Sequence, residues 1–378
     1  MRPWFINGRF LTQPLSGVQR YAREVVAALD QELLFQNAGV YSKQVELLLP
    51  SNANLDITLK AIRPRHIGCL TEHAWEQFEL AHHAKGVLLS LCNTGPVLHR
   101  KQIVTIHDVN TREFPQSYTR TFRWAYRILH PALGKTAQAI ATVSKFSAKQ
   151  IADYGIAESE KITIASNGCD HTKLWRQHTP TSLRTNTERN TILVLGTNAP
   201  HKNLSLLTGM ADQLATNGLR LSVIGMTADH VFSAYIPNAS HPSIDWCGRL
   251  TDTELAYRFA KALCLAFPSW TEGFGLPPLE SMSLGCPVVA SDRSSIPEVC
   301  GQAALYAAPD NPDAWLTAFL SLKHDQTLRQ NLISAGHSQA AIYTWQATAK
   351  TYLNLIAALQ LNQNPRLTTP RTRTTTFT

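Results

Sequence analysis

Short apolar runs alternate along this chain with longer amphipathic stretches. In the first half the runs at 45–50 (VELLLP), 86–91 (GVLLSL), 102–106 (QIVTI), 139–143 (AIATV) and 161–165 (KITIA) read as strands. In the second half the same pattern returns at 191–196, 219–225, 263–268 and 286–291. Helices are predicted between them, for example over 17–34 and 145–155, where apolar residues recur at helical spacing. Strands alternating with helices predict an α/β fold with parallel sheets covered on both faces. The polar stretch 176–190 lacks apolar periodicity and reads as a linker between two doubly wound units. The expected organisation is a first domain over 1–178, a second over 190–345, a C-terminal helix over 346–362 and a disordered tail over 363–378. Two such domains would leave a cleft between the carboxyl ends of their strands, where ligands of these sheets bind.

Composition narrows the class. The chain has 378 residues, 44% of them hydrophobic and 16% charged, which suits two packed cores and not a disordered chain. A formal net charge of +8 fits an anionic partner, or no more than a soluble surface. The cysteines Cys69, Cys92, Cys169, Cys247, Cys264, Cys286 and Cys300 form no CxxC pair and sit mostly among apolar residues. They are expected to be buried thiols in a reducing compartment. The start MRPWFINGRFLTQ lacks the apolar core of a secretion signal, and no apolar run is long enough to span a bilayer. A cytoplasmic protein, at most peripheral to a membrane, is the expectation.

Several loops place chemistry at strand ends. In TILVLGTNAPHKN, Lys202 is expected to open a helix beside unpaired backbone amides, a phosphate site unless the lysine is merely solvated. Neither GxxxxGK[ST] nor GxGxxG is present there. His107 and Asp108 follow the strand of TIHDVN, where an imidazole serves as base or donor, or is simply held by a loop carbonyl. Ser16 and Gly17 precede a helix, which fits either an anion site or an ordinary cap. The stretch CLAFPSWTEGFGLPPLESMSLGCPVVASD reads strand, loop, helix, strand. Pro277 and Pro278 suit a first helical turn and Gly285 its end. The amides of Phe274, Gly275 and Leu276 would then face the cleft. Glu272 on the loop and Glu280 on the helix look like graspers of two separate hydroxyl groups of one ligand. No further metal ligands stand at useful spacing.

The order of these motifs resembles the retaining GT-B glycosyltransferases of family four, the "glycosyl transferases group 1" type, from about Phe5 to Ala357. SGVQRY is similar to the family's glycine loop, and TIHDVNTREFP to its TIHD…FP segment. TVSKFSAKQIADYGI, ASNGCD and LGTNAPHKNLSLL resemble its VS-x-FS helix start, NG-x-D turn and donor-phosphate loop. The stretch from Phe267 resembles its E-x7-E signature. The resemblance implies a GT-B fold, two Rossmann-like domains facing each other across a cleft. It implies that Lys202 binds the diphosphate of a nucleotide-sugar donor, that Glu272 holds sugar hydroxyls, and that Glu280 holds the ribose. Gly273, Phe274, Gly275 and Leu276 would line the donor with backbone. Gly17 would approach the diphosphate from the opposite domain, and His107 and Asp108 would lie on the acceptor side. Many relatives carry arginine where Thr197 stands, so one phosphate-neutralising charge is expected from elsewhere, with Arg249 a candidate.

The resemblance further implies a metal-independent, front-face retaining transfer without a cofactor, and catalysis by Glu272, Lys202 and His107. The expected partners are a nucleotide sugar and a glycan acceptor, linked to polyprenyl diphosphate, in surface-polysaccharide synthesis. The leading donor is GDP-mannose, with UDP-glucose or another hexose donor as the alternative. A non-catalytic nucleotide-sugar binder on the same fold is the alternative from another class. Nucleic acid is not an expected partner, because the basic residues are scattered and no binding motif is present. Finally, 117–135 places Arg120, Arg123 and Arg127 on one helical face, near Lys135 and the aromatics Tyr118, Phe122, Trp124 and Tyr126. Such a helix suits an anionic membrane surface, or a packed helix with a solvated basic face.

Overall fold

The computed structural model describes residues 3–35, 45–177, 190–195, 199–225 and 240–361. The described residues form two parallel sheets. The first holds β1 (Trp4–Asn7), β2 (Val45–Leu49), β3 (Arg63–His66), β4 (Val87–Ser90), β5 (Gln102–Thr105), β6 (Ala139–Thr142) and β7 (Ile162–Ile164) in the order β3-β2-β1-β4-β5-β6-β7. The second holds β8 (Thr191–Leu195), β9 (Arg220–Ile224), β10 (Ile244–Gly248), β11 (Cys264–Phe267), β12 (Val288–Ser291) and β13 (Ala304–Ala307) in the order β10-β9-β8-β11-β12-β13. Both orders are doubly wound, with the reversal between β1 and β4 in one sheet and between β8 and β11 in the other. The central strands are buried along their whole length, as in VLLS of β4, CLAF of β11 and VVAS of β12. Strands covered on both faces favour such continuous apolar runs.

Four strands are not foreshadowed by the apolar pattern: β1, β3, β10 and β13. The edge strand β3 reads RPRH and is largely exposed, so it carries no apolar signal. β13 reads ALYA, too short and too plain to stand out. The helices that matter to the site are α1 (Gly17–Phe35), α2 (Arg120–Thr136), α3 (Lys145–Asp153), α4 (Asp252–Lys261), α5 (Leu276–Ser283), α6 (Gln326–Ala341) and α7 (Trp345–Leu361). Although last in the chain, α7 returns to the first sheet. The Tyr352 hydroxyl lies 2.7 Å from both the Tyr21 hydroxyl of α1 and Thr105 Oγ1 of β5. The Tyr21 hydroxyl in turn donates to the Ala165 carbonyl at 2.9 Å. A hydroxyl relay in the core fixes this return, because buried polar groups left unpaired are costly. Most of the linker stretch (178–189), Thr197 and the tail 363–378 lie outside the described residues.

The carboxyl ends of the two sheets face each other and touch. Ser144 Oγ caps its own helix α3 by accepting from the Ser147 amide at 3.0 Å and donates to the Gly273 carbonyl of the other half at 2.6 Å. Glu298 accepts from the Lys145 and Phe146 amides at 2.8 and 3.1 Å, so a carboxylate of the second half sits on the positive end of α3. Arg20 of α1 makes a two-pronged ion pair with Asp252 of α4, at 3.1 and 2.6 Å.

Candidate active site

The loop after β11 and the start of α5 build one wall of the cleft. Pro277 and Pro278 occupy the first turn of α5, where their missing N–H groups are not needed. Gly275 caps this helix with φ 98°, a backbone region that side-chain-bearing residues avoid. The loop is held from behind. The Glu272 amide donates to Ser294 Oγ at 3.0 Å, and Ser295 Oγ lies 2.9 and 3.1 Å from the Glu272 and Phe274 carbonyls. The amides of Phe274, Gly275 and Leu276 have no acceptor among the described residues. They sit at a helix N-terminus, a ready anion cradle.

Lys202 reaches this cradle from the loop after β8. It does not open a helix as expected: it ends a 3-10 turn (Pro200–Lys202), and Asn203 at φ 55° separates it from the helix that follows. Its Nζ lies 2.7 Å from Glu272 Oε1. Glu272 is buried, and Lys202 is partly exposed. A lysine paired with a carboxylate yet still reached by solvent is placed to exchange part of that pairing for a second anion. Glu280 is buried one turn into α5, and its Oε1 lies 3.1 Å from His171 Nε2. Trp345 Nε1 donates to His171 Nδ1 at 3.0 Å, which puts the ring proton on Nε2 and makes His171 the donor to Glu280. Neither His171 nor Trp345 was expected from the sequence. The NGCD turn stands next to His171 in the chain, but nothing links it to a glutamate 109 positions away.

His107 and Asp108 approach from the first half. A Cβ on Gly273 would lie 2.4 Å from the His107 carbonyl and 3.0 Å from Asp108 Cβ, so the two walls meet backbone to backbone here. Burial pushes the His107 imidazole down to about 4 and keeps it neutral near pH 7. Its Nε2 lies 2.9 Å from the Leu91 carbonyl, which can only accept, so Nε2 carries the proton and Nδ1 presents a lone pair. Burial also raises the Asp108 carboxyl, and the neighbouring Glu272 charge raises it further, while Lys202 opposes both. Thus His107, Asp108, Lys202, Glu272 and the three unpaired amides converge on one place. Gly17 opens α1, and a Cβ added there would meet nothing within 4 Å. The Arg249 guanidinium donates to the Leu15 carbonyl at 3.1 Å, two residues before Gly17, and helps join the halves.

The expected membrane helix is α2, and its aromatic and basic faces differ. Arg120, Arg123, Arg127 and Lys135 are exposed, as are Trp124 and Ile128. Tyr118, Phe122 and Tyr126 turn inward and stack in a column, with centroids 5.5 and 4.4 Å apart. The column runs on to His201, whose ring stacks 6.0 Å from Tyr118. No described helix is long and apolar enough to cross a membrane. Among the described residues no group of three or more His, Cys, Asp or Glu is placed to hold a metal ion.

The family described as glycosyl transferases group 1 matches residues 176–339, and that described as glycosyltransferase family 4 matches residues 15–173. The chain belongs to the family-four GT-B glycosyltransferases. It is 27% identical over 377 residues to O-antigen chain mannosyltransferase B of Escherichia coli, covering 90% of this chain and 96% of that one. It is 26% identical to O-antigen chain mannosyltransferase RfbU of Salmonella typhimurium, over 63% of this chain and 65% of that one. Its fold is similar to sucrose-phosphate synthase from Thermosynechococcus elongatus, with TM-score 0.69 and 16% identity over 96% of this chain and all of that one.

Three buried histidines in and near the cleft of this glycosyltransferase predict a fold that loses stability in acid. Burial pushes His107, His130 and His201 each down to about 4. The unfolded chain therefore takes up protons below about pH 6.5 that the native state refuses until about pH 4, so stability falls as pH drops through that window. Each ring contributes up to about 3 kcal/mol of this loss. Thermal unfolding followed from pH 7.5 to 5 is expected to show a falling Tm, with a shallower fall in His130→Gln. A flat Tm over that range would contradict the burial argument.

Proposed function

We propose that the chain is a retaining hexosyltransferase that moves mannose from GDP-mannose to a polyprenyl-diphosphate-linked glycan in surface-polysaccharide synthesis, at the inner face of the cytoplasmic membrane. The observation that carries this reading is the Lys202–Glu272 pair, set beside the three unpaired amides at the start of α5 and facing His107. Lys202 and those amides bind the donor diphosphate and take up the charge that develops as the glycosidic bond breaks. Glu272 accepts hydrogen bonds from donor-sugar hydroxyls, and the backbone of Gly273 lines the sugar. Glu280, fixed by His171, grips the ribose with its remaining oxygen. The neutral His107 accepts a hydroxyl hydrogen bond at Nδ1, with Asp108 beside it on the acceptor side.

Glu272 is engaged by Lys202 and is not a nucleophile in this scheme. The departing phosphate oxygen takes the acceptor proton on the same face of the sugar, so configuration is kept. Charge stabilisation falls to Lys202 and backbone amides, so no metal or cofactor is required. Gly17, Thr197 and Arg249 complete the donor side. The mannose assignment draws support from the names of the two O-antigen mannosyltransferase relatives. UDP-glucose or another hexose donor is the competing assignment, and a non-catalytic nucleotide-sugar binder competes as a class.

A panel of sugar nucleotides, assayed for hydrolysis and transfer with and without EDTA, separates these. GDP-mannose is expected to turn over at equal rates in both conditions. Preference for a uridine donor would replace the donor assignment, loss in EDTA would overturn metal independence, and binding without turnover would favour the non-catalytic class. The exposed Arg120, Arg123 and Arg127 are proposed to meet anionic lipid, each worth about 1 kcal/mol near the surface. Changing all three to glutamate is expected to move the protein from anionic vesicles to the supernatant, and equal partition of parent and variant would sink the membrane role.

A further inference from the structure

The first sheet has a reversal point of its own, between β1 and β4, and the proposed donor chemistry does not use it. Asn7 and Arg9 follow β1 there, and Ser90, Cys92 and Thr94 stand at the end of β4 and just beyond it. Glu76 joins them from a π-helical turn (Trp75–Leu80), a distortion that often marks a working site. Its Oε1 accepts from Asn7 Nδ2 at 2.7 Å, Arg9 Nε at 3.2 Å and the Thr94 hydroxyl at 2.9 Å. Arg9 Nη2 adds a bond to Thr94 Oγ1 at 2.7 Å. Arg9 is more than nine-tenths buried, yet its Nη1 has no hydrogen-bond partner among the described residues and is not sealed from solvent. A largely buried guanidinium with a donor to spare can bind a ligand oxygen.

Tyr126 supplies the second unsatisfied group. It lies at the far end of the aromatic column from Tyr118, whose ring stacks on His201 beside Lys202. Its ring stacks on Phe122 and meets His130 in a T-shaped contact, with centroids 4.4 and 5.0 Å apart. The Tyr126 hydroxyl has no hydrogen-bond partner among the described residues. Arg9, Glu76, Cys92 and Asp108 all lie near enough to influence its ionisation, which burial raises to about 12. The phenol thus stays protonated and is both donor and acceptor.

The geometry points to a second acceptor subsite at Arg9 and Tyr126, which holds the penultimate sugar of a glycan whose terminal sugar lies at His107 and Asp108. Open α/β sheets bind ligands at such reversal points, and this one adjoins the donor site through the Tyr118–Phe122–Tyr126 column. The Glu76 carboxylate cancels the Arg9 charge, so the subsite favours neutral hydroxyls over a phosphate. It adjoins the place given to the terminal sugar, since Asp108 lies near enough to Tyr126 to influence it, so an acceptor that fills both places is at least a disaccharide. This rests on the glycosyltransferase reading above.

The test compares octyl α-mannopyranoside with a set of octyl mannobiosides as acceptors, with donor hydrolysis measured alongside. The parent is expected to prefer one disaccharide by at least 5-fold in KM. Tyr126→Phe should remove most of that preference, leaving the monosaccharide KM and donor hydrolysis at parent values. Three outcomes overturn the subsite: a parent without preference for any disaccharide, a preference that survives in Tyr126→Phe, or mannose 1-phosphate competing better than the neutral acceptors. Donor hydrolysis that is absent in the parent instead removes the glycosyltransferase reading itself, so the two failures are told apart.

Discussion

Lys202→Ala is expected to lower kcat by about 10²–10³-fold, the usual cost of deleting one preorganised group at a site of developing charge. The ammonium lies 2.7 Å from Glu272 and on the rim of the three unpaired amides, so it faces the place where a leaving diphosphate would gather charge. Its removal has two consequences with separate signatures. The diphosphate loses a cation, which lowers kcat more than it raises KM if the contact strengthens in the transition state. Glu272 loses its partner, and Asp108 loses the charge that opposes its upward shift. The Asp108 carboxyl should then rise further, and residual activity should need a higher pH. The fold should survive, because Lys202 stands partly exposed at the cleft. Steady-state kinetics from pH 6 to 9 with a matched Tm measurement check both parts. Turnover near the parent value would mean the diphosphate is neutralised elsewhere.

Gly273→Ala is expected to cost at least about 10²-fold in activity through position alone, since a shift of about 1 Å at a reacting centre suffices for that. A methyl group there would stand 2.4 Å from the His107 carbonyl and 3.0 Å from Asp108 Cβ. The first contact is with backbone, which cannot rotate away, so the loop must retreat. Retreat breaks the Ser144 and Ser147 hydrogen bonds to the Gly273 carbonyl, at 2.6 and 3.1 Å, and parts the walls of the cleft. Gly209→Ala is the control: its methyl meets nothing within 4 Å, and parent activity is expected. Kinetics with a crystal structure of the Gly273 variant would check the displacement. A variant with parent activity and an unmoved loop would show that the two halves are less tightly apposed at this point.

Much of the site was legible because its residues sit on short loops at strand ends, each marked by glycine, proline or a polar break. Glu272, Glu280, Pro277 and Gly275 showed their strand–loop–helix setting in about twenty residues of sequence. Lys202 was placed on the right loop but in the wrong local structure, because the left-handed Asn203 that delays the helix has no pattern of its own. The clasp between the halves was not legible. Ser144 meets Gly273 across 129 positions and Glu298 meets Lys145 across 153, and one sequence contains nothing that pairs such distant residues. The same holds for Arg9, Glu76 and Thr94, three separate segments that only the sheet order brings together. On α2 the sequence showed basic and aromatic residues together. It did not show that Tyr118, Phe122 and Tyr126 stack in a column that meets His201 of the other half, 83 positions from Tyr118 in the chain.

The stereochemistry of the first product tests the central claim most directly. The sugar nucleotide chosen by the donor panel, α-linked at its anomeric carbon, is incubated with enzyme and its preferred acceptor. Proton NMR then follows the new anomeric signal before secondary products form. An α-linked product is predicted, because Glu272 is held by Lys202 and the acceptor is activated on the face that the diphosphate leaves. A β-linked product would place the activating base on the opposite face and contradict the roles given to Lys202, Glu272 and His107.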